Sequence, residues 1–170
     1  MKTVILKWNP AFSSYSMLHY LSDMNYLREE GVSDYDWSVW DHDQIHEGDR
    51  FFWVKVGMYG QTGIVASGKI TSEPFKGEDW SGKGRETYYV TFLPDVLLNP
   101  DALPILSCAE LEKAISDFEW SKGHSGLVLN DDQAQKLEAV WADFLTKNEP
   151  AFTEALNKRH QEDLIYMQQA

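Results

Sequence analysis

A second cysteine is missing: Cys108 stands alone in a chain of 170 residues, so no internal disulfide can staple it. Also missing is any apolar run near the roughly 18 residues a helix needs to span a bilayer. The apolar stretch within Met1 to Pro10 is too short for a secretory h-region. A soluble protein of the reducing cytoplasm, with no membrane partner, is the expectation. Basic charge is scarce as well. Fifteen Lys and Arg stand against 27 Asp and Glu, a net charge of −12. Such a surface repels phosphate chains, which excludes avid non-specific binding along duplex nucleic acid. The shortage is uneven. Eight carboxylates and no Lys or Arg lie between Glu29 and Asp49, whereas Lys69, Lys76, Lys83 and Arg85 fall close together. Read alone, either cluster is solvated surface.

A complete catalytic set is absent too. Gly63 to Lys69 has the glycine and lysine spacing of a phosphate-binding loop, but Ile70 follows where Ser or Thr must bind magnesium. The intervening residues also alternate like a strand. His42, Asp43 and His46 offer a chelating spacing without a distant third protein ligand, so they read as a solvated turn. His124 and Ser125 lack an acid partner and a G-x-S-x-G elbow. Cys108 falls at a predicted helix start, which favours a thiolate, yet a buried structural thiol is the commoner case. The chain is therefore expected to have no catalytic residue, no metal and no cofactor.

What is present is aromatic surface: seven Trp, eight Tyr and eight Phe, or 14% of the chain. The length suits one domain with its own core and leaves no room for a second. Thr3 to Trp8 reads as a buried strand ended by Asn9-Pro10. Ser13 or Ser14 is placed to cap a helix through Met17, Leu18, Leu21, Met24 and Leu27, with Gly31 as its stop. Strands are predicted at Tyr35 to Trp40, Arg50 to Val56, Ile64 to Thr71, Glu86 to Leu93 and Gly126 to Leu129. Ile64 to Thr71 alternates as if it had two unlike faces. Ser72 to Arg85, with Pro74, three glycines and Trp80, reads as a long mobile loop, and Pro94 to Pro104 as irregular. Ser107 with Glu110 and Asn130 with Gln133 have capping-box spacing, the latter before an apolar helical stripe at Leu137, Val140, Trp141 and Phe144. Pro150 should break that helix, leaving a polar terminal helix from Ala151 to Ala170. The order is not the strict alternation of a doubly wound sheet. It predicts an α+β fold, a small mixed β-barrel of five to six strands with flanking helices.

Trp8, Trp37, Trp40, Trp53, Trp80 and Trp120 fall at predicted strand ends or in loops, where rings can line a barrel mouth. Any one of them can equally fill the core.

Several segments together resemble one family. These are Leu6-Lys7-Trp8-Asn9-Pro10 with Ser13-Ser14, then Trp37, then Gly48 to Trp53 (GDRFFW) and Gly63 to Gly68 (GIVASG) with Ser72-Glu73-Pro74. Trp120 followed by His124-Ser125-Gly126 completes the set. The chain resembles the EVE domain of the PUA-like superfamily, especially the EVE-like readers at the front of McrB-type modification-dependent restriction proteins. The resemblance covers about residues 2 to 145. It implies a PUA-like domain over residues 1–148 and a C-terminal helical extension over residues 149–170. It further implies a non-enzymatic domain that reads a modified base in DNA or RNA, flipped into an aromatic pocket. Carried over position by position, Trp8, Asn9, Trp37, Trp120 and Ser125 are the pocket residues. Ser13 and Ser14 would donate from the helix start, and Lys76, Lys83 and Arg85 would meet phosphate. The chain has neither motor nor nuclease signature, so any effector would be a separate chain. The alternative is a small-metabolite or protein-interaction module using the same aromatic pocket, which the acidity favours.

Overall fold

The computed structural model describes residues 1–79, 81–158 and 163–168. Strand β1 (Thr3–Trp8) is buried at all six positions, as a continuous apolar run requires. It pairs in parallel with β3 (Arg50–Lys55) and on its other side with the short β8 (Leu127–Val128). A parallel pair needs a long crossover, and here it contains helix α1 (Met17–Glu30). The hydroxyl of Ser16, rather than of Ser13 or Ser14, caps α1 by accepting from His19 N–H. The Asn9 carbonyl accepts from both Phe12 and Ser13 N–H, so residues 9–15 are spent on a tight turn and the helix starts later. Gly31 ends α1 at φ 73, a left-handed conformation that suits glycine.

The rest of the sheet is an antiparallel meander of β3, β4 (Gly63–Ile70) and β6 (Glu86–Leu98), with β2 (Asp36–Ser38) outside β6. The strand order is β2-β6-β4-β3-β1-β8. Seven of the eight residues of β4 are buried, Lys69 being the exception, so its alternation does not mark a wet face. The strand runs through the middle of the sheet and is covered on both sides. Tyr20 of α1 donates its hydroxyl to the carbonyls of Val65 and Leu98, and α2 (Cys108–Ala114) lies against β4 as well.

Two proline-bearing segments predicted as loops are strands. Strand β6 runs through Pro94 to Leu98 because the register shifts between Ser67 and Gly68, opposite Pro94, where a missing N–H costs no ladder bond. Within the stretch Ser72 to Arg85, β5 (Phe75–Glu78) forms a hairpin with β6, and Gly77 lets the strand pass under the ring of Tyr89. Trp80 lies outside the described residues. The box of Asn130 and Gln133 is present and opens α3 (Asp131–Lys147). Pro150 does not interrupt that helix. It sits in the first turn of α4 (Glu149–Asn157), where a missing N–H is harmless. The expected terminal helix ends at Asn157. Ile165–Met167 instead forms strand β9 on the end of β6, and residues 159–162 and 169–170 lie outside the description. The two-residue β7 (Leu106–Ser107) pairs with the start of β4.

Among the described residues, nine strands make one mixed sheet that curls into a half-barrel flanked by four α-helices. The excess over five to six strands comes from short pieces, β5, β7 and β9, that lie off the main path. No described helix is long and apolar enough to cross a membrane.

Gly68 sits at the bulge with no space for a side chain. A Cβ there would lie 2.2 Å from the Leu93 carbonyl oxygen and 2.7 Å from a Phe51 ring carbon. Gly68→Ala is expected to lower stability by about 2–3 kcal/mol or more, since backbone must move. Gly31→Ala, open but at positive φ, should cost only about 1 kcal/mol. Urea unfolding of the two variants measures both, and equal losses would show that the bulge can relax.

Candidate ligand-binding site

A cavity of about 480 Å³ opens where the end of β1, the 9–15 turn, β2 and the 123–125 loop meet. Its innermost ring is Trp53, which is fully buried yet lines the cavity. Trp37 meets Trp53 edge-on at 5.2 Å between centroids, and Tyr15 stacks on Trp53 at 5.7 Å with 28° between planes. Tyr15 and Trp37 meet at 5.7 Å, and Tyr35 stands edge-on to Trp53 at 6.0 Å. The four rings pack into one cluster along the cavity, Tyr15 and Trp37 half-buried and Tyr35 and Trp53 buried.

Hydrogen bonds hold those rings in place. The indole N–H of Trp37 donates to the Lys7 carbonyl at 3.0 Å. The Tyr15 hydroxyl donates to Asp23 Oδ2 at 2.5 Å, and the Tyr15 carbonyl accepts from Trp8 Nε1 at 2.8 Å. Burial, then the bond to Asp23, pushes the Tyr15 phenol well above the ordinary tyrosine range. Burial does the same to Tyr35, helped by the Asp23 charge. Both rings are neutral at physiological pH. The N–H of Trp53 is buried and has no hydrogen-bond partner among the described residues.

The cavity's polar edge comes from three segments. Asn9, Ser13 and Ser14 lie on the turn after β1; Asp34, Asp36 and Ser38 lie along β2 and its approach; His124 and Ser125 close the other side. The Ser125 hydroxyl oxygen accepts from Lys7 N–H at 2.9 Å, which leaves the hydroxyl hydrogen able to donate. Lys7 lines the cavity, but its ammonium donates to the carbonyls of Glu119 (2.7 Å) and Lys122 and lies 5.1 Å from the Phe118 ring centroid. Burial lowers its pKa. Gly126 lets the loop approach β2: at φ 82, a Cβ would come within 2.3 Å of Val39 Cα. Burial raises the Asp36 carboxyl above its ordinary range.

Of the residues picked from sequence, Asn9, Ser13, Ser14, Trp37 and Ser125 are brought together around this cavity. Trp8 and Trp120 are not. Trp8 is 1% exposed, stacked on Tyr20 at 5.1 Å beneath the site, and Trp120 is fully buried with its N–H on the Ile115 carbonyl. The 9–15 turn folds back over Trp8 at the end of β1, and Trp120 lies in the connection between α2 and β8, packed against Phe118. Lys76, Lys83 and Arg85 belong to the β5–β6 segment, and none lines the cavity. Lys76 faces Tyr88 across the strands, with its ammonium 5.8 Å from that ring, and adjacent Tyr89 is the residue that reaches the cavity. Lys83 and Arg85 are exposed between β5 and β6.

The chelating trio disperses. His42 stacks on Tyr88 at 3.6 Å, and His46 bonds Glu73 at 2.8 Å. The described residues contain no group of three His, Cys, Asp or Glu placed to hold a metal. Cys108 is buried, and burial raises its thiol pKa. Gly63 to Ile70 is a strand, not a phosphate loop. His124 stacks on Trp40 at 3.7 Å with planes 3° apart.

Sequence reasoning missed Tyr15, Tyr35 and Asp23. Tyr35 was legible in principle, because it stands two residues before Trp37 and extended chain puts such pairs on one face. Trp53 was named among the rings able to line a barrel mouth but not among the pocket residues, since a ring inside an apolar strand equally reads as core.

No protein-family model matches the chain, and no curated protein matches it. Solved structures match in fold. Human THYN1, solved in complex with 5-methylcytosine-containing DNA, shares 11% identity at a TM-score of 0.52, covering 82% of this chain and 97% of that one. The YTH domain-containing protein mmi1, solved with RNA, shares 12% at 0.51, covering 88% and 86%. An ASCH protein of Zymomonas mobilis shares 10% at 0.50, covering 81% and 94%. Identities this low carry the fold alone, a curled mixed sheet with flanking helices that this chain shares with them.

The buried phenols set an alkaline limit. Tyr15, Tyr20 and Tyr35 all have pKa values raised by burial, so they contribute stability that is fully present below about pH 10, where unfolded tyrosine ionises. That stability is lost as pH rises toward the folded-state values, at about 1.4 kcal/mol per pH unit for each phenol. Urea midpoints measured through this range should fall steeply for the wild type and less steeply for Tyr15→Phe and Tyr35→Phe. Parallel declines would show that these phenols ionise freely in the folded state.

Proposed function

We propose that this chain is a non-enzymatic binding domain that reads a modified base in DNA or RNA by holding the flipped base in the cavity lined by Trp37, Tyr15, Tyr35 and Trp53. One observation carries the reading: a cavity of about 480 Å³ lined by Trp37, Tyr15, Tyr35 and Trp53 together with the hydrogen-bonding side chains of Asn9, Ser13, Ser14 and Ser125. An extruded base needs those features, stacking surfaces for its faces and a few polar partners for its rim. The volume lies within the range of small-ligand sites. Asn9, with an amide that both donates and accepts, and Ser125, with a free hydroxyl hydrogen, are the edge readers. Ser13 and Ser14 stand beside Asn9 on the same turn.

The complexes of THYN1 with 5-methylcytosine-containing DNA and of mmi1 with RNA support a nucleic-acid role on this fold. The likeness to EVE-like readers of McrB-type proteins belongs to the same proposal, as does a cytoplasmic setting with a separate effector chain. The exposed Lys83 and Arg85, with Lys76 on the neighbouring strand, are the phosphate contacts. They lie outside the cavity, where a strand continuing from the flipped nucleotide would run. A small-metabolite or protein-partner reading is favoured by one specific observation, the net charge of −12. Salt separates the two: phosphate-driven binding falls steeply as salt rises, whereas burial of an uncharged guest does not.

The test is a panel of oligonucleotides with methylated or hydroxymethylated bases, titrated at low salt against wild type and Trp37→Ala. At least one modified strand should bind more tightly than its unmodified control. Trp37→Ala should weaken that binding about tenfold or more, the worth of one stacking ring. If no strand binds at low salt, the base-reading role falls and the metabolite or protein-partner role replaces it.

A further inference from the structure

Resting on the base-reading proposal, we infer that the preferred guest is a cation: a heterocyclic base given a fixed positive charge by methylation of a ring nitrogen. The geometry that supports this is the pairing of a four-ring cluster with carboxylates that have no counter-charge. Asp23, Asp34 and Asp36 all line the cavity with Trp37, Tyr15, Tyr35 and Trp53. Neither Asp34 nor Asp36 has an ion-pair partner among the described residues, and both are solvent-accessible at the rim. Asp23 uses one oxygen to accept from the Tyr15 hydroxyl and keeps the other.

Among the described residues, Lys7 contributes the only Lys or Arg side chain along the cavity, and its ammonium is bonded to the carbonyls of Glu119 and Lys122. The cavity is thus electronegative at two places, inside through ring faces with a negative quadrupole and at the rim through the exposed carboxylates of Asp34 and Asp36. A neutral base would gain the stacking but leave those carboxylates uncompensated, and its own carbonyl and ring-nitrogen acceptors would face them. A cationic base gains both attractions and presents fewer acceptors. Acidity that counts against a polyanionic track favours this guest.

Isomeric bases isolate the charge. N1-methyladenine is cationic at neutral pH and N6-methyladenine is neutral; N3-methylcytosine and 5-methylcytosine form a second such pair. Each is placed in one short single-stranded oligonucleotide and titrated by tryptophan fluorescence, with the four free nucleosides in parallel. In both pairs the cationic isomer should bind about tenfold or more tightly, the scale of a desolvated cation–π contact. In Asp34→Asn/Asp36→Asn the ratio between isomers should fall toward one, with an unchanged circular dichroism spectrum confirming the fold.

The same ratio with free nucleosides supports the cavity assignment and makes the nucleoside itself the source of the charge. If neutral isomers bind as well as cationic ones, this inference is overturned and base reading stands. If none of the four oligonucleotides binds, base reading falls and the inference falls with it. A preference that survives in the double variant overturns the role given to the carboxylates.

Discussion

The last two residues of β1 organise the site. Lys7 is a point of convergence: its carbonyl takes the Trp37 indole, its N–H meets the Ser125 hydroxyl, and its ammonium ties down the 119–122 loop. Trp8 then reaches the carbonyl of Tyr15 and fixes the turn that carries Asn9, Ser13 and Ser14. Elements far apart in sequence are thereby held to one strand end by the backbone N–H and carbonyl of Lys7 together with the Lys7 ammonium and the Trp8 indole. The ammonium of Lys7 is taken out of water, which lowers its pKa, and the two carbonyls with the Phe118 face replace its hydration. A charge used in this way holds a wall and leaves the cavity without a cation.

Rigidity of the ring cluster follows from what lies beneath it. Trp53 contacts Trp8, Tyr20, Tyr35 and Phe92 at centroid distances between 5.4 and 6.0 Å. Rings packed at these distances in a dense interior have few alternative rotamers, so the wall facing a guest is preorganised rather than assembled on binding. The buried phenols of Tyr15 and Tyr35 add to this, since their raised pKa values keep the rings neutral. A base entering such a site spends little of its stacking energy on ordering the protein. That logic assigns Trp8 and Trp120 different work from Trp37: they support loops, while Trp37 and Tyr15 present faces.

Much of the architecture was legible because local rules agreed with the fold. The unbroken run Thr3–Trp8, the Gly31 stop and the Asn130–Gln133 box each appear where their physics places them. The misreadings share one cause, tertiary context overriding a residue's usual meaning. Pro94 reads as a breaker, yet a bulge opposite it absorbs the missing donor; Gly77 reads as loop, yet it is the residue that fits under Tyr89. Pro150 reads as a terminator and turns out to start the next helix, while Ile165–Met167 finds its partner only at the far end of β6. For the site, residues beside recognisable turns were found, and those whose role depends on a long-range approach were not. Trp53 lies in an apolar strand and equally reads as core, and Asp23 meets the cavity through its bond to Tyr15 from across the 9–15 turn.

Charge distribution links the site to the rest of the surface. The acidic stretch from Glu29 to Asp49, read alone as solvent-facing, delivers Asp34 and Asp36 to the cavity because β2 pairs along β6 and brings Trp37 with it. The same segment therefore supplies both rings and carboxylates, and alternation along extended chain sorts them, with Tyr35 and Trp37 inward and Asp34 and Asp36 exposed at the rim. On the other side of β6, the β5–β6 segment holds Lys76, Lys83 and Arg85 away from the cavity. Opposite charges are thus sorted to opposite sides of β6. A ligand with a cationic head and an anionic backbone satisfies both regions at once, whereas a uniformly anionic ligand would be repelled where its recognition must occur.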